Sequence, residues 1–419
     1  MSDIGTRNGL VQPTAGTGEF RQNWKLIIAC TAGCGFCMNA IAQHSIGPFV
    51  KPLVEDMNWS RTQVQSALLL SQCANALGVL FVGVLINRFP LRRIVIGGLI
   101  GTVCGIVLAS FSQSLPFFYL AYVIAAFIGS GAGPISWSRA IAGSFDKHRG
   151  LALAIALSGT GLSGIILPSI LVWVISNYGW RTGYLALAAF PALVSLPVVL
   201  LMFWPNHDPR PKHKVVPPTA FNNKQVFGSY RFWVLLTSVF SVYFAVTGVL
   251  SNLIPALTDG GLSPAEAAIA QGSLAGAILG GRMLVGLLVD KFWAPAIGAL
   301  FLTPPAIGCL ILMTQPSLAT ATVAAAMVGM AAGAELDLLA LLTSRYFGLI
   351  HFARIFSYLS AVISIGGGTG PMLFSWIREV TGSYHASFAM VAALFVLGGS
   401  ILITLGRYPE FPENQATAE

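Results

Sequence analysis

An arginine inside an apolar helix is the first residue whose position indicates chemistry. Arg282 lies within Leu279–Leu288, whose other residues are apolar or glycine, and Asp290 and Lys291 follow this run. At about 1.5 Å per residue, Arg282 lies roughly 12 Å inside the helix end. A charge at that depth in a bilayer costs ~2.5 kcal/mol or more, so it normally faces a cavity or a partner. Because a guanidinium can hold a carboxylate through two parallel hydrogen bonds, Arg282 is the candidate ligand of an organic anion. A fixed ion pair with an acid is the alternative.

Two acids in a later apolar segment are candidate proton carriers. Glu335 and Asp337 are two residues apart, so on a helix their side chains project about 200° apart. We therefore expect one to line a pathway and the other to pack against a neighbouring helix. Burial favours a neutral carboxyl group and a nearby arginine favours a charged one, and an acid between these effects can carry a proton. Static pairing with Arg282 or Arg139, and binding of a cationic substrate, stay open.

His44 and Arg139 are the other ionisable residues well inside apolar segments. An unperturbed histidine titrates near neutral pH, so His44 is a candidate for proton coupling and substrate binding near the outer side. A packed, hydrogen-bonded histidine is an equal alternative. Arg139 lies about six residues before a turn. We expect it to be a gating or structural charge, or one whose long side chain reaches the membrane surface.

The composition is that of a polytopic membrane protein. The chain is 55% hydrophobic and 9% charged, whereas soluble proteins carry about 25% charged residues. A membrane-spanning helix needs about 20 mostly apolar residues. The sequence predicts twelve such spans: 24–50, 63–87, 93–112, 117–141, 150–176, 182–204, 232–257, 264–289, 294–314, 318–343, 355–377 and 386–406.

The positive charges are concentrated in the loops on one side of the membrane, and they do not form a continuous surface for nucleic acid. The net charge is +8, and most Lys and Arg residues fall in alternate loops together with both termini. The opposite loops hold Lys51, Arg61, Arg181 and Arg378. Because cytoplasmic loops are enriched in Lys and Arg, both termini are predicted to be cytoplasmic. We expect a multi-pass monomer in a bacterial inner membrane that binds no nucleic acid.

An internal repeat relates the two halves of the chain at an offset of 203 residues. Matched pairs are Pro52/Pro255, Ser60/Ser263, Gly78/Gly281, Gly83/Gly286, Asn87/Asp290, Arg88/Lys291, Gly164/Gly367, Pro168/Pro371 and Gly179/Gly382. A constant offset over that length predicts two parallel six-helix units. The N-terminal unit is 1–204, the C-terminal unit is 232–419, and the Pro-rich basic segment 205–231 is the predicted cytoplasmic linker.

The turns that follow the second helix of each unit carry a recognisable motif. Gly83-xxx-Asn87-Arg88 and Gly286-xxx-Asp290-Lys291 resemble the turn of the major facilitator superfamily. The resemblance implies an all-α polytopic membrane protein with twelve transmembrane helices in two pseudo-symmetric bundles. It also implies that Asn87, Arg88, Asp290 and Lys291, with Arg139, act in gating. The family usually has Asp where this chain has Asn87.

Within that superfamily the chain is similar to monocarboxylate porters and oxalate/formate exchangers. The similarity lies in Gly281-Arg282-xxx-Gly286-xxx-Asp290, in Phe145-Asp146-Lys147-His148-Arg149-Gly150 and in Tyr178-Gly179-Trp180-Arg181. It implies that Arg282 binds a substrate carboxylate, and that His44 replaces a lysine linked to proton and substrate access in mammalian members. The exchangers carry a lysine in the eleventh helix for a second carboxylate. Span 355–377 has no positive charge before Arg378, which favours a monocarboxylate, and the many aromatic residues are compatible with an aromatic one.

Other classes of site find little support in the sequence. Cys34-Gly35-Phe36-Cys37 has metal or redox spacing, but no second pair completes a ligand set, so we predict packing residues and no metal or cofactor. No GK[ST] phosphate loop or soluble catalytic domain is present in the sequence, and we do not expect an enzyme. The prediction is a secondary transporter of a small organic anion by proton symport. The alternative is a proton-coupled exporter of cationic or drug-like compounds that uses Glu335 and Asp337.

Overall fold

Helices cover each of the twelve predicted spans. A computed structural model describes residues 17–86, 88–145, 148–204, 226–289, 291–314 and 316–409. The N-terminal part contains α1 (Thr17–Gly35), α2 (Met38–Met57), α3 (Arg61–Leu85), α4 (Leu91–Ser110), α5 (Leu115–Gly129), α6 (Pro134–Ala142), α7 (Arg149–Phe190) and α8 (Leu196–Met202). The C-terminal part contains α9 (Tyr230–Asp259), α10 (Pro264–Val289), α11 (Ala294–Leu302), α12 (Pro305–Leu312), α13 (Leu318–Thr381) and α14 (His385–Ile401).

The helices match the predicted number of spans, although several boundaries differ. Within the described ranges, nine helices are long and apolar enough to cross a membrane, and the bent pair α1–α2 makes a tenth. Two helices run on through predicted turns, at Gly179 (φ 82°) and Gly348 (φ 75°). The helical stretch 151–202 counts as two spans when it is divided at Gly179. The part of α13 after Gly348 is one more, which brings the number to twelve. Positive φ suits glycine, which lacks a Cβ.

The repeat predicted from the sequence is visible in the local structure. Ser60 caps α3 in a reciprocal arrangement with Gln63, and Ser263 and Glu266 form the same arrangement before α10. Such capping boxes satisfy backbone donors that a helix start leaves free. A Cβ added at Gly78 would meet the carbonyl oxygen of Phe127, and one added at Gly281 would meet that of Met330. Phe127 and Met330 are themselves 203 residues apart.

The two halves pack crosswise, each presenting the same helix pair to the other. Helix α3 packs on the second part of α13, and α10 packs on α7. Gly164 on α7 lies against Ala275 on α10, while Gly367 on α13 lies against Gln72 on α3. These two contacts are related by the 203-residue offset at both ends. The chain is therefore an all-α protein of two pseudo-symmetric bundles.

Candidate functional site

Arg282 forms an ion pair with one of the two predicted acids. Its Nε lies 3.2 Å from Oδ2 of Asp337, and the side chains are 19% and 46% exposed, respectively. The pair exists because α10 and α13 touch backbone to backbone. A Cβ added at Gly333 would meet the carbonyl oxygen of Ile278 and the amide nitrogen of Arg282, so a short aspartate can reach the guanidinium. Asp337 is the more exposed of the two side chains, so the pair is accessible from the side of the carboxylate.

Glu335 occupies a different environment from Asp337, although both lie on α13. Its side chain is 2% exposed, and Oε1 has no hydrogen-bond partner in the part of the chain that the structure describes. Its electrostatic neighbour is Tyr243 on α9, whose hydroxyl accepts a hydrogen bond from Gln43 Nε2 at 3.2 Å. Glu335 thus lies close to a polar contact between the halves, while Asp337 lies at the accessible arginine. The side chains diverge as their spacing predicts.

His44 lies deeper than its predicted position near the outer side. Helix α2 continues through Pro48 and Pro52 to Met57, beyond the predicted end of this span at residue 50. His44 is therefore about 20 Å from the outer helix end, at ~1.5 Å per residue. The side chain is 6% exposed, its Nδ1 lacks a hydrogen-bond partner within the described residues, and its ring faces Gly164.

The predicted inner gating residues are only partly described. Arg139 lies in the last turn of α6, where a cation interacts favourably with the helix dipole. Arg88 and Lys291 are exposed in the turns after α3 and α10. Asn87 and Asp290 lie outside the described residues, as does 205–225 of the predicted linker. The structure does not bring Arg139 into the pair formed by Arg282 and Asp337.

An ionic cluster joins the two halves at the end of the molecule that is predicted to face outward, and sequence reasoning missed it. Asp259, at the end of α9, forms ion pairs with three cations. Lys51 Nζ lies 2.7 Å from Asp259 Oδ1, and one Nη atom each of Arg61 and Arg378 lies 2.7 Å and 3.3 Å, respectively, from Oδ2. Lys51 and Arg61 belong to the first half, and Asp259 and Arg378 to the second. The two halves are therefore held together at this end of the molecule. The internal repeat could have identified this acid, because Asp259 lies 203 residues after Asp56 and the two therefore occupy matching positions.

A further contact between the halves strengthens this connection at the start of α3. The carboxylate of Glu379 on α13 accepts hydrogen bonds from Thr62, at 2.9 Å from the backbone N–H and 2.6 Å from the hydroxyl. Arg61 also donates to the hydroxyl of Tyr384 at 2.5 Å. The fourth outer cation, Arg181, instead pairs with Asp56 at 3.0 Å within the first half.

Cys34 and Cys37 lie at the bend between α1 and α2, where both are buried free thiols. Within the described ranges, no group of three or more His, Cys, Asp or Glu side chains is arranged to hold a metal ion.

Comparison with known proteins gives one consistent family. Residues 32–351 match the family model of the Major Facilitator Superfamily. The chain is 29% identical over 328 residues to monocarboxylate transporter 13 of Bos taurus, covering 77% of this chain and 75% of that protein. It is 25% identical over 404 residues to the oxalate:formate antiporter of Oxalobacter formigenes, covering 91% and 93%. An inward-facing, unoccupied bacterial homologue of the human lysosomal transporter Spinster shares the fold, with a TM-score of 0.70, 20% identity and coverage of 93% and 99%.

Proposed function

The chain belongs to the major facilitator superfamily, and we propose that it carries a small monocarboxylate across the membrane together with a proton. It is a multi-pass membrane transporter and not an enzyme. The observation that carries the proposal is the ion pair between Arg282 and Asp337. It joins an anion ligand and a titratable acid in one accessible site.

The pair supports a competition between two carboxylates for one guanidinium. In the empty site, ionised Asp337 pairs with Arg282. An incoming substrate carboxylate takes that place, and Asp337 accepts a proton because its cation is no longer available. Proton and anion then move together without net charge. The 46% exposure of the Asp337 side chain suits this exchange, since a substrate carboxylate and a proton can approach from that side.

Two further observations favour a monocarboxylate among organic anions. Curated relatives of this chain include proteins named monocarboxylate transporter and oxalate:formate antiporter. Span 355–377 provides no positive charge, so a second substrate carboxylate would lack a partner there. We infer the bacterial inner membrane as the location, with both termini cytoplasmic and a monomer as the working unit. Arg88, Lys291, Asn87, Asp290 and Arg139 keep their predicted gating role on the inner side.

Export of a cationic compound is the second candidate function. The observation that favours it is Glu335, a buried acid whose Oε1 lacks a partner within the described residues. A buried carboxyl group of this kind can meet a cation or a proton. The site of Arg282 argues against a cation, because like charges repel at close range.

A binding screen with purified protein distinguishes these functions. Thermal unfolding would be followed with monocarboxylates, dicarboxylates, organic cations and neutral solutes, because a ligand of the native state raises the unfolding temperature. We expect stabilisation by one or more monocarboxylates. In Arg282→Lys the charge stays but the planar fork is lost, and we expect affinity to fall about 30-fold, or ~2 kcal/mol. Stabilisation by cations alone, or unchanged monocarboxylate affinity in that variant, would contradict the proposal.

A further inference from the structure

An apolar groove on the first half lies apart from the site of Arg282. It has a volume of ≈ 310 Å³ and runs between the inner parts of α3, α4 and α5. Phe81, Leu85, Phe127 and Ile128 contribute apolar walls. Gly97 forms part of the floor, and an added Cβ there would meet no atom within 4 Å. The groove is thus a narrow apolar space that is open along α4.

The groove opens towards the lipid rather than towards the second half. Helix α4 packs on α5 and α7 of its own half, and all residues that line the groove come from α3, α4, α5 and the turns next to them. Phe81 and Phe127 are 57% and 39% exposed. In a bilayer, such aromatic surface is in contact with acyl chains.

One end of the groove is strongly basic. Arg93 lines the groove and is exposed one helical turn before Gly97. Arg88 is exposed in the preceding turn. Residues 86–93 contain three arginines and no acid. Arg92 is already engaged, donating to the Leu200 carbonyl at 2.7 Å, whereas no described acid forms an ion pair with Arg88 or Arg93.

We propose that this groove binds an anionic phospholipid of the inner leaflet. The acyl chain lies over Gly97 between the aromatic walls, and the phosphate lies on Arg93 and Arg88. Basic residues at the cytoplasmic membrane surface attract anionic headgroups. An apolar groove that continues from such a basic end accepts a lipid, whereas a free phosphate would leave the groove unfilled. The bilayer supplies this occupant at high local concentration.

Native mass spectrometry of the full chain tests the proposal, with dioleoyl phosphatidylglycerol and dioleoyl phosphatidylcholine as probes. These lipids share their acyl chains and differ in headgroup charge. We expect one tightly retained phosphatidylglycerol, preferred about tenfold over phosphatidylcholine, as contacts with one or two arginines predict. Arg93→Gln should reduce that preference about fivefold. Gly97→Leu fills open space and should lower retention of both lipids.

Matched controls separate the groove from general effects. Arg407→Gln removes an exposed positive charge beyond α14, and Gly286→Leu fills open space at an exposed glycine of α10. Neither should change retention of the bound lipid. Equal retention of the two lipids, or unchanged phosphatidylglycerol retention in both groove variants, would overturn the proposal. So would displacement of the lipid by millimolar inorganic phosphate, because the site would then recognise a free anion.

Discussion

The side-chain amide of Gln271 donates a hydrogen bond to the backbone carbonyl of His44, with Nε2 and the oxygen 3.0 Å apart. Gln271 lies on α10 and His44 on α2, so the bond joins the two halves. The carbonyl is available because Pro48, four residues later, has no N–H to donate within the helix. A proline in one half thus creates an acceptor that a glutamine of the other half satisfies.

A second hydrogen bond of this kind joins the halves, with the proline in the second half and the glutamine in the first. Pro255 leaves the carbonyl of Ser251 on α9 without its helical donor, and Gln65 on α3 donates to that oxygen at 3.1 Å. Both contacts are buried. Because an unsatisfied buried carbonyl costs about 1–3 kcal/mol, each glutamine stabilises the arrangement in which the two halves are in contact.

Gln271→Leu is expected to shift the protein towards an outward-open state. Leucine removes the donor and leaves the His44 carbonyl unsatisfied, so we expect the open population to rise roughly fivefold to tenfold. Spin labels at Tyr178→Cys and Ala386→Cys, on the outer ends of the two halves, would report longer distances. Asn177→Leu, which removes an exposed amide of the first half, is the control. An unchanged distance distribution in Gln271→Leu would contradict the role of this bond.

Asp259→Asn should also open the outer side. The variant leaves Lys51, Arg61 and Arg378 close together without the acid that they share, and the like charges repel. Because these side chains are partly exposed, solvent screening limits the effect. We expect the same labels to show a smaller shift at high salt than at low salt. Asp56→Asn is the matched control, since its ion pair with Arg181 lies within one half. An equal response of both variants would show that the cluster does not hold the halves together.

Asp337→Asn is expected to uncouple transport from the proton. Asparagine cannot carry a proton, so accumulation driven by a pH gradient in liposomes should be lost while counterflow exchange of substrate persists. Under the proposed competition, substrate binding in the wild type takes up a proton, so the affinity for substrate should rise as the pH falls. Asp337→Asn should abolish that dependence.

Glu335→Gln is the comparison for this prediction, because it neutralises the neighbouring acid away from the Arg282 pair. It should retain gradient-driven accumulation if Asp337 is the coupling acid. Loss of accumulation in Glu335→Gln with full accumulation in Asp337→Asn would move the proton site to Glu335. Full accumulation in both variants would leave His44 as the next candidate.

His44→Gln should alter the dependence of uptake on external pH more than it alters substrate binding from the inner side. The buried ring, whose Nδ1 has no hydrogen-bond partner among the described residues, faces the contact between the halves, so its protonation would act on opening of the outer side. Uptake would be measured in liposomes over a range of external pH at fixed internal pH. A pH profile identical to that of the wild type would count against this role.

The sequence by itself determined the helices, their number and the repeat. A chain in a bilayer must satisfy its backbone polar groups internally, so apolar runs of sufficient length become helices from local information. The depth of Arg282 followed from its distance to the next turn. The 203-residue offset also predicted features that the structure shows, such as the matching caps at Ser60 and Ser263.

The tertiary structure decided which polar groups meet. Spacing showed that Glu335 and Asp337 diverge, but the rotation of α13 against α10 determined that Asp337 faces Arg282. Asp259 and the donors Gln65 and Gln271 were not singled out, because their partners lie about 120 to 230 residues away on other helices. The helical repeat of ~3.6 residues per turn predicts which side chains share a face of a helix, but it does not predict which other helix packs against that face. That choice depends on the packing of small residues between helices, which brings short side chains within hydrogen-bonding distance.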